Sequence, residues 1–288
     1  MLGWLVVNSF INTKKFEEIY AFLKNAGDKF NVQLEIKKSS ELLCEINDDF
    51  KSLGLPNFVL FWDKDIYLAK RLEEMKIPLF NSSYSIETCD NKILTALALK
   101  GEVDMPKTII APKTFENVNY NDKEFLKKSG EILKFPLIIK EAFGSFGKQV
   151  YLAENLKMAE EIVDSLGHKD FLMQEFIKTS KGRDVRINVV GDKVVCSMLR
   201  FSDSDFRSNV SNGGKAVAYK ISKEQEEIAL KCTKKLKLDF AGVDVLFGEN
   251  EKPIICEVNS NPHFKSSYEA TGVDMAEEII KYILEKVK

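Results

Sequence analysis

Residues 240 to 262, FAGVDVLFGENEKPIICEVNSNP, contain two apolar runs on either side of a polar turn rich in Gly, Asn and Pro. This pattern predicts a β-hairpin. Because strand side chains alternate between faces, Glu257 and Asn259 are expected on one face of the second strand. The opposite face is expected to carry Ile254, Cys256 and Val258. Folding back over the turn would place Asp244 opposite Glu257.

Asp244, Glu257 and Asn259 are therefore a candidate metal site. Set among Val, Ile and Leu, two carboxylates would repel each other and lose solvation unless a cation or a proton compensates. An oxygen-only ligand set suits a hard ion, Mg²⁺ or Mn²⁺. The alternative is a solvent-facing polar strand face. We favour the metal site because both runs are too apolar for a freely solvated edge.

The length and composition predict a globular protein of two or three domains, since 288 residues exceed the usual single core. Forty-two basic against 44 acidic residues give a net charge of −2, which favours neither nucleic acid nor an anionic membrane as a partner. No 18-residue apolar stretch occurs. The five cysteines are widely spaced in apolar runs, as expected for reduced thiols, and a soluble cytoplasmic protein is predicted. They are Cys44, Cys89, Cys196, Cys232 and Cys256.

Strands and helices alternate over the first hundred residues, which predicts a small parallel α/β domain. One helix is expected over residues 84–99. Parallel sheets bind ligands at the carboxyl ends of their strands, which here points to Asn8-Ser9, Asp63 and residues 81–83. The alternative is that these residues only form turns.

A Gly-rich turn, Glu141-Ala-Phe-Gly-Ser-Phe-Gly-Lys148, follows an apolar strand that ends at Lys140. Free backbone N–H groups and a nearby ammonium make a phosphate cradle plausible. An ordinary turn is the alternative. The stretch lacks the Gly-Lys-Ser/Thr of a P-loop. A strand over 171–177 and a polar linker, 178–182, then lead into the last domain.

Polar side chains also follow one face of the strand 184–190, namely Asp184, Arg186 and Asn188. A Gly-Asp turn leads to a partner strand that ends near Arg200. The next loop contains Asp205-Phe-Arg-Ser-Asn209 followed by two glycines, and is suited to ordering around an anion. The alternative is an ordinary connecting loop.

The order of these features resembles the ATP-grasp carboxylate–amine ligases, and within them the RimK-like branch of α-L-glutamate ligases. The resemblance extends from Asn81-Ser-Ser-Tyr-Ser-Ile-Glu-Thr-Cys-Asp-Asn-Lys92 to Glu257-Val-Asn-Ser-Asn-Pro262. It implies an α/β (α+β ATP-grasp) fold. A parallel α/β domain at 1–100 would precede two α+β subdomains, at 101–180 and 181–288, that hold ATP between them.

The resemblance also implies roles for individual residues. The ATP phosphates would be bound by Lys92, Lys140 and the loop residues Gly144, Ser145 and Gly147. Adenine would meet the strand formed by Glu175, Phe176 and Ile177, and the ribose region would meet Asp184. Phosphate and acyl-phosphate oxygens would contact Arg207, Ser208 and Asn209. Two Mg²⁺ ions would be bound by Asp244, Glu257 and Asn259.

Arg186 is a further catalytic candidate, because a guanidinium can hold a substrate carboxylate through two parallel hydrogen bonds. The alternative is that Arg186 only pairs with Asp184 or another acid to hold its strand in place. Two positions depart from the family pattern. Phe176 stands where relatives often have Tyr, and His263 stands where many have Gly.

The implied activity is ATP-dependent and ADP-forming: a carboxylate is phosphorylated and an amine attacks the acyl phosphate. Glutamate is the amine substrate that the resemblance implies. A peptide, a protein tail and a small-molecule carboxylate remain open as acceptors, and a homo-oligomer is compatible with the sequence. The alternative is an ATP-binding regulatory protein that keeps the fold but has little turnover.

Overall fold

The computed structural model describes residues 1–43, 45–47, 54–210 and 213–287. Cys44 lies outside the described residues, and the other four cysteines are free, as predicted. Within the described ranges, no helix is both long and apolar enough to cross a membrane.

Four parallel strands form the first sheet, in the order β2-β1-β3-β4. They are β1 (Leu2–Val7), β2 (Gln33–Lys38), β3 (Phe58–Trp62) and β4 (Leu79–Phe80). The helices of this segment are α1 (Lys14–Lys29), α2 (Ile66–Glu74), α3 (Ser83–Asp90) and α4 (Lys92–Leu99). The central strands β1 and β3 are buried almost throughout, as expected for a parallel sheet covered by helices.

Four antiparallel strands form the second sheet, in the order β5-β8-β6-β7. They are β5 (Thr108–Ile110), β6 (Leu137–Glu141), β7 (Val150–Ala153) and β8 (Phe171–Glu175). Two helices, α5 (Glu124–Leu133) and α6 (Leu156–Leu166), belong to this segment. The Gly-rich turn connects β6 to β7, as predicted.

Five antiparallel strands form the third sheet, in the order β11-β10-β9-β12-β13. They are β9 (Arg183–Val190), β10 (Lys193–Phe201), β11 (Lys215–Ala218), β12 (Phe240–Phe247) and β13 (Pro253–Asn259). The helices are α7 (Lys223–Lys235), α8 (Lys265–Thr271) and α9 (Met275–Lys286). The three sheets fall within the three predicted ranges, whose boundaries at 100 and 180 stay predictions.

The hairpin β12–β13 forms as predicted, and Asp244 pairs with Glu257 across it. After this pair the register shifts, because Val245 lies opposite Ile255. Cys256 is therefore an extra residue on β13, which makes a β-bulge.

The bulge resets the alternation of side chains along β13. Ile255 and Val258 both enter the core of the third sheet, whereas the thiol of Cys256 lies 3.6 Å from the ammonium of Lys140. The prediction that Ile254, Cys256 and Val258 share one face is therefore wrong.

The helix predicted over residues 84–99 is two helices, α3 and α4, with Asn91 between them. The Asn91 side chain accepts hydrogen bonds from the backbone N–H groups of Ile93, at 2.9 Å, and Leu94, at 3.3 Å. Asn91 is thus the N-cap of a new helix, which explains the break.

The hydrophobic cores do not follow the three sheets one to one. One core combines β1, β3 and α1 of the first segment with α9 of the last. Within it, Trp62 stacks on Phe240 with 5.3 Å between ring centroids. The second sheet has a core of its own, drawn from residues 111–173. The first and third segments therefore pack as one unit beside the second.

Candidate active site

Two cavities meet at the hairpin β12–β13. The larger, of about 740 Å³, is lined by residues of all three segments. The smaller lies between the second and third segments and is lined by Lys140 among others. Both cavities are lined by Arg200, Asn209, Asp244 and Glu257. These four residues form the junction between the two spaces.

A buried network of four charges lies behind this junction. Arg186 binds Asp244 through two hydrogen bonds, of which Nη2 to Oδ2 measures 2.8 Å. Arg200 binds Asp184 at 2.7 and 2.6 Å and also lies 3.0 Å from Asp244. Each side chain is at most 10% exposed. Two cations thus balance two anions away from water.

This network engages both Asp184 and Arg186, and the proposed contact of Asp184 with the ribose stays a prediction. Both oxygens of Asp184 accept from Arg200, and the Arg186 guanidinium is bound to Asp244. Burial opposes ionisation of Asp244, but the charges of Arg186 and Arg200 outweigh it and lower the pKa of Asp244. The alternative that Arg186 pairs with an acid is thus observed, and its proposed contact with a substrate stays a prediction.

The candidate metal ligands lie on the two strands of the hairpin. Glu257 faces the larger cavity with its side chain 30% exposed, and Lys92 lies 3.8 Å away. Asn259 donates from its amide nitrogen to the Gly242 carbonyl at 3.3 Å. In the part of the chain that the structure describes, no three His, Cys, Asp or Glu side chains converge on one point.

Each candidate carboxylate has a cationic partner, since Asp244 meets two arginines and Glu257 meets Lys92. The cations that we expected to compensate the two carboxylates are thus side chains of this protein, and the metal site stays a prediction. The donor set still fits Mg²⁺: Asp244 and Glu257 are register partners, Asn259 follows two residues later, and Glu257 reaches the cavity.

The Gly-rich loop is held by residues of the candidate site. The Lys92 ammonium donates to the Gly144 carbonyl at 3.1 Å, and Arg207 donates to the Gly147 carbonyl at 2.7 Å. Asp205 orients Arg207 through a further bond of 2.7 Å. Burial lowers the pKa of Lys92, although the charge of Glu257 opposes the shift. The resemblance implies that Lys92 and Arg207 contact phosphate, and in the structure both side chains donate hydrogen bonds to the Gly-rich loop.

Residues of the first segment also contact this loop. The ammonium of Lys64 lies 3.2 Å from the Ser145 hydroxyl, and that of Lys15 lies 3.4 Å from the centre of the Phe146 ring. Sequence reasoning missed both lysines, because the contacts span 81 residues or more. It placed Arg200 at the end of a partner strand without giving it a role in the site, although the hairpin β9–β10 sets Arg200 directly opposite Asp184.

The residues expected to meet adenine line the smaller cavity: Glu175, Phe176 and Ile177. Glu175 accepts from the Lys107 backbone N–H at 2.8 Å, and the Phe176 ring lies edge-on to Phe206, with centroids 6.3 Å apart. Ser208 and Lys140 in the same cavity are buried. Their contact with a nucleotide stays a prediction.

The carboxyl ends of the first sheet are brought together only in part. Asn8 donates to Asp63 at 3.2 Å, and both line the larger cavity. Asn81 instead has a structural role: its fully buried amide donates to the carbonyls of Phe240 and Ser260 at 2.9 and 2.8 Å.

His263, which departs from the family pattern, lies 3.0 Å through its Nε2 from the Lys15 carbonyl. Because a carbonyl oxygen only accepts, the His263 Nε2–H is the donor.

Comparison with known proteins agrees with this geometry. The model of the RimK-like ATP-grasp domain matches residues 89–283. A probable alpha-L-glutamate ligase of Cellvibrio japonicus is 38% identical over 226 residues, covering 77% of this chain and 72% of the relative. An uncharacterized protein of Mycoplasma genitalium, MG012, is 34% identical over 269 residues, covering 91% of this chain and 92% of the relative.

A solved structure of the ATP-grasp ligase PsnB, with a phosphomimetic variant of minimal precursor, Mg and ADP, has the same fold. Its TM-score is 0.73 at 16% identity, covering 99% of this chain and 98% of that one. The parallel sheet followed by two antiparallel sheets is therefore an ATP-grasp arrangement, as predicted. On the length and identity of these matches, the chain belongs to the RimK-like ATP-grasp family of ligases.

Proposed function

We propose that the protein is an ATP-dependent, ADP-forming ligase that joins a carboxylate to an amine through an acyl phosphate. The observation behind this proposal is the junction of the two cavities at Arg200, Asn209, Asp244 and Glu257. A nucleotide in the smaller cavity would direct its terminal phosphate to this junction. A carboxylate in the larger cavity would approach from the other side.

In the first step a carboxylate oxygen attacks the terminal phosphorus of ATP and ADP leaves. Phosphoryl transfer depends on charge neutralisation and in-line positioning more than on a covalent protein group. The half-buried Lys92 and the buried Lys140 would hold the phosphates, while Arg207 would stabilise the transferred group. The loop from Gly144 to Gly147 would cover them.

We propose that Asp244, Glu257 and Asn259 would hold two Mg²⁺ ions. Bound there, Mg²⁺ would neutralise the phosphate oxygens that the cations leave uncovered. Arg186 would then be shared between Asp244 and the incoming carboxylate. Its two parallel N–H groups suit either partner.

In the second step the amine nitrogen forms a bond to the acyl carbon, the carbon–oxygen bond to phosphate breaks, and the nitrogen loses a proton. The relative named as a glutamate ligase supports glutamate as the amine substrate. The acceptor carboxylate would belong to a peptide, a protein tail or a small molecule, with the larger cavity setting the choice.

The test is to incubate the protein with ATP, Mg²⁺ and a panel of amino acids and carboxylates while following ADP and phosphate release. ADP should appear only when both substrates are present, with a product whose mass is the sum of the two less one water. Glu257→Gln should abolish the release. The matched control is Glu251→Gln, which changes an exposed glutamate of the same hairpin that pairs with Arg183 of β9. This variant should release ADP as the wild type does.

ATP binding without substrate-dependent ADP release across the panel would overturn the proposal. That outcome would favour an ATP-binding regulatory protein instead.

A further inference from the structure

The tip of the Gly-rich loop extends from the second segment and packs on the first. The ring of Phe146 lies edge-on to Phe16 of α1, with 6.4 Å between ring centroids. The ammonium of Lys15 lies 3.4 Å from the centre of the same ring. An ammonium over an aromatic face is attracted by the electrons of the ring. The half-buried Phe146 is thus held by two adjacent residues of one helix.

The start of α1 is in turn held by the third segment. His263 donates from Nε2 to the Lys15 carbonyl at 3.0 Å, and its ring lies edge-on to Phe16 at 6.4 Å between centroids. Lys265 adds an ion pair with Glu18 of the same helix at 2.8 Å. All three segments therefore meet at the first turn of α1. We call the four residues Lys15, Phe16, Phe146 and His263 the latch.

The backbone of Phe146 has a conformation that its side chain makes unfavourable. Its φ is +61°, in the left-handed region, and Gly144 and Gly147 of the same loop also have positive φ. Glycine adopts such angles readily, whereas any other residue brings its Cβ close to the following carbonyl. A phenylalanine keeps this conformation only where its surroundings constrain it. The contacts of its ring with α1 supply that constraint.

The latch lies on the wall of the larger cavity. All four of its residues line the cavity of about 740 Å³ that also reaches Glu257. The same loop is bonded through its carbonyls to Lys92 and Arg207, which would hold phosphate oxygens. One loop therefore contacts the cations proposed for the nucleotide and closes part of the wall of the cavity proposed for the carboxylate. Its movement must change access to both spaces at once.

We propose that Phe146 is a positioning residue that closes the larger cavity around the carboxylate substrate. With its ring on Lys15 and Phe16 the cavity is shut on this side, and with the ring released the cavity opens to solvent. The carboxylate must then enter before the loop closes over ATP, and the acyl phosphate forms where bulk water does not reach it. This inference rests on the proposed function and adds an order of binding.

Loss of the latch should let water compete with the amine. The water oxygen would bond to the acyl carbon, the carbon–oxygen bond to phosphate would break, and the water would lose a proton. These steps return the free carboxylate and phosphate, so that ATP is consumed without an amide. The ratio of ADP released to amide formed therefore measures closure, and it should be one to one in the wild type.

The first test is this ratio, measured with the substrate pair that releases ADP. Phe146→Ala should raise it at least about threefold, because the cavity stays open to water. Phe146→Tyr keeps the ring and should have the ratio of the wild type. The matched control is Phe143→Ala, which removes a 55% exposed ring of the same turn that lines neither cavity.

The order of binding is tested on the same proteins without turnover. Saturation with Mg²⁺ and a non-hydrolysable ATP analogue should slow the association of the carboxylate with the wild type at least about tenfold. The analogue should have no such effect on Phe146→Ala. Equal association with and without the analogue in the wild type would overturn the proposed order.

A third measurement needs no substrate. Lys148 is exposed and lies two residues after Phe146, and trypsin cuts after a lysine when the surrounding loop leaves the fold. Phe146→Ala should be cut after Lys148 about 5- to 30-fold faster than the wild type, the factor for losing one cation–π and one aromatic contact. Phe146→Tyr and Phe143→Ala should be cut within about twofold of the wild-type rate.

The inference is overturned if Phe146→Ala is cut at the wild-type rate or keeps the wild-type ratio of ADP to amide. If Phe146→Ala is cut faster but the wild type releases no ADP on any substrate of the panel, the latch stands and the proposed function fails. If Phe146→Ala does not fold, Lys15→Met decides, since it removes the ammonium and keeps an unbranched apolar side chain. This variant should be cut about twofold to fivefold faster than the wild type, and an unchanged rate would overturn the inference.

Discussion

Asp244 and Glu257 are register partners and proposed ligands of the same ions, yet we expect their removal to lower the stability of the protein by very different amounts. Asp244→Asn leaves two buried arginines with one carboxylate, Asp184, so the network gains a net positive charge. Breaking a buried ion pair in this way costs about 3–5 kcal/mol. For a chain of this size the unfolding midpoint should fall by roughly 6–10 °C.

Glu257→Gln should cost far less. Its partner Lys92 is 3.8 Å away, and the Glu257 side chain is 30% exposed, so water screens the pair. Such a pair contributes at most about 1 kcal/mol, and the midpoint should stay within about 2 °C of the wild type. Both variants should lose Mg²⁺-dependent ADP release by at least about 100-fold.

The assay is thermal unfolding in EDTA beside ADP release in Mg²⁺, on the same preparations. If Asp244→Asn unfolds at the same temperature as the wild type, the four-charge network does not stabilise the third sheet. Glu257→Gln that unfolds early but turns over normally would show that Glu257 is structural. Either result would refute the separation of roles between the two carboxylates.

Three further predictions concern other parts of the site. Arg186→Lys should raise the KM for the carboxylate substrate and leave ATP affinity little changed, whereas Arg207→Lys should mainly lower kcat. If steady-state kinetics show an unchanged carboxylate KM in Arg186→Lys, Arg186 has a structural role only. Asn81→Ala should lower the free energy of unfolding by about 2–4 kcal/mol, because it removes buried hydrogen bonds to three backbone positions; chemical denaturation that shows no loss would contradict the structural role of Asn81. Burial lowers the pKa of His263 to about 4, so the unfolded chain binds a proton near pH 6.5 that the folded chain refuses. The wild type should therefore lose about 2 kcal/mol relative to His263→Gln as the pH falls from 6.5 to 4, and a difference that does not vary with pH would refute this.

Local patterns predicted the parts of the site that lie close together along the chain. Alternation and a Gly/Asn/Pro turn were enough to place Asp244 opposite Glu257, because a hairpin fixes its own register. The bulge at Cys256 depends on how β13 packs against the core, and no local pattern indicates it. The break at Asn91 was not predicted, although a local signal for it exists. Asparagine is a good N-cap residue, and Asn91 stands in the middle of the apolar run.

Tertiary contacts were beyond the reach of such reasoning. The contact between Asn261 and Asp63 joins residues 198 positions apart. Each residue alone looks like an ordinary turn former at the end of a strand. Only their meeting shows that one oxygen of each side chain is buried without a hydrogen-bond partner among the described residues.

The core shared by β1, β3, α1 and α9 has a consequence for laboratory recombination among relatives. A simple design for changing substrate specificity would exchange residues 1–100, which line part of the larger cavity, for those of a homologue. The cut would instead separate Trp62 from Phe240 and α1 from α9, leaving mismatched apolar faces. A chimera designed to change specificity should therefore carry α9 and Phe240 with the first segment. The second segment, which has its own core, is the more suitable unit to exchange.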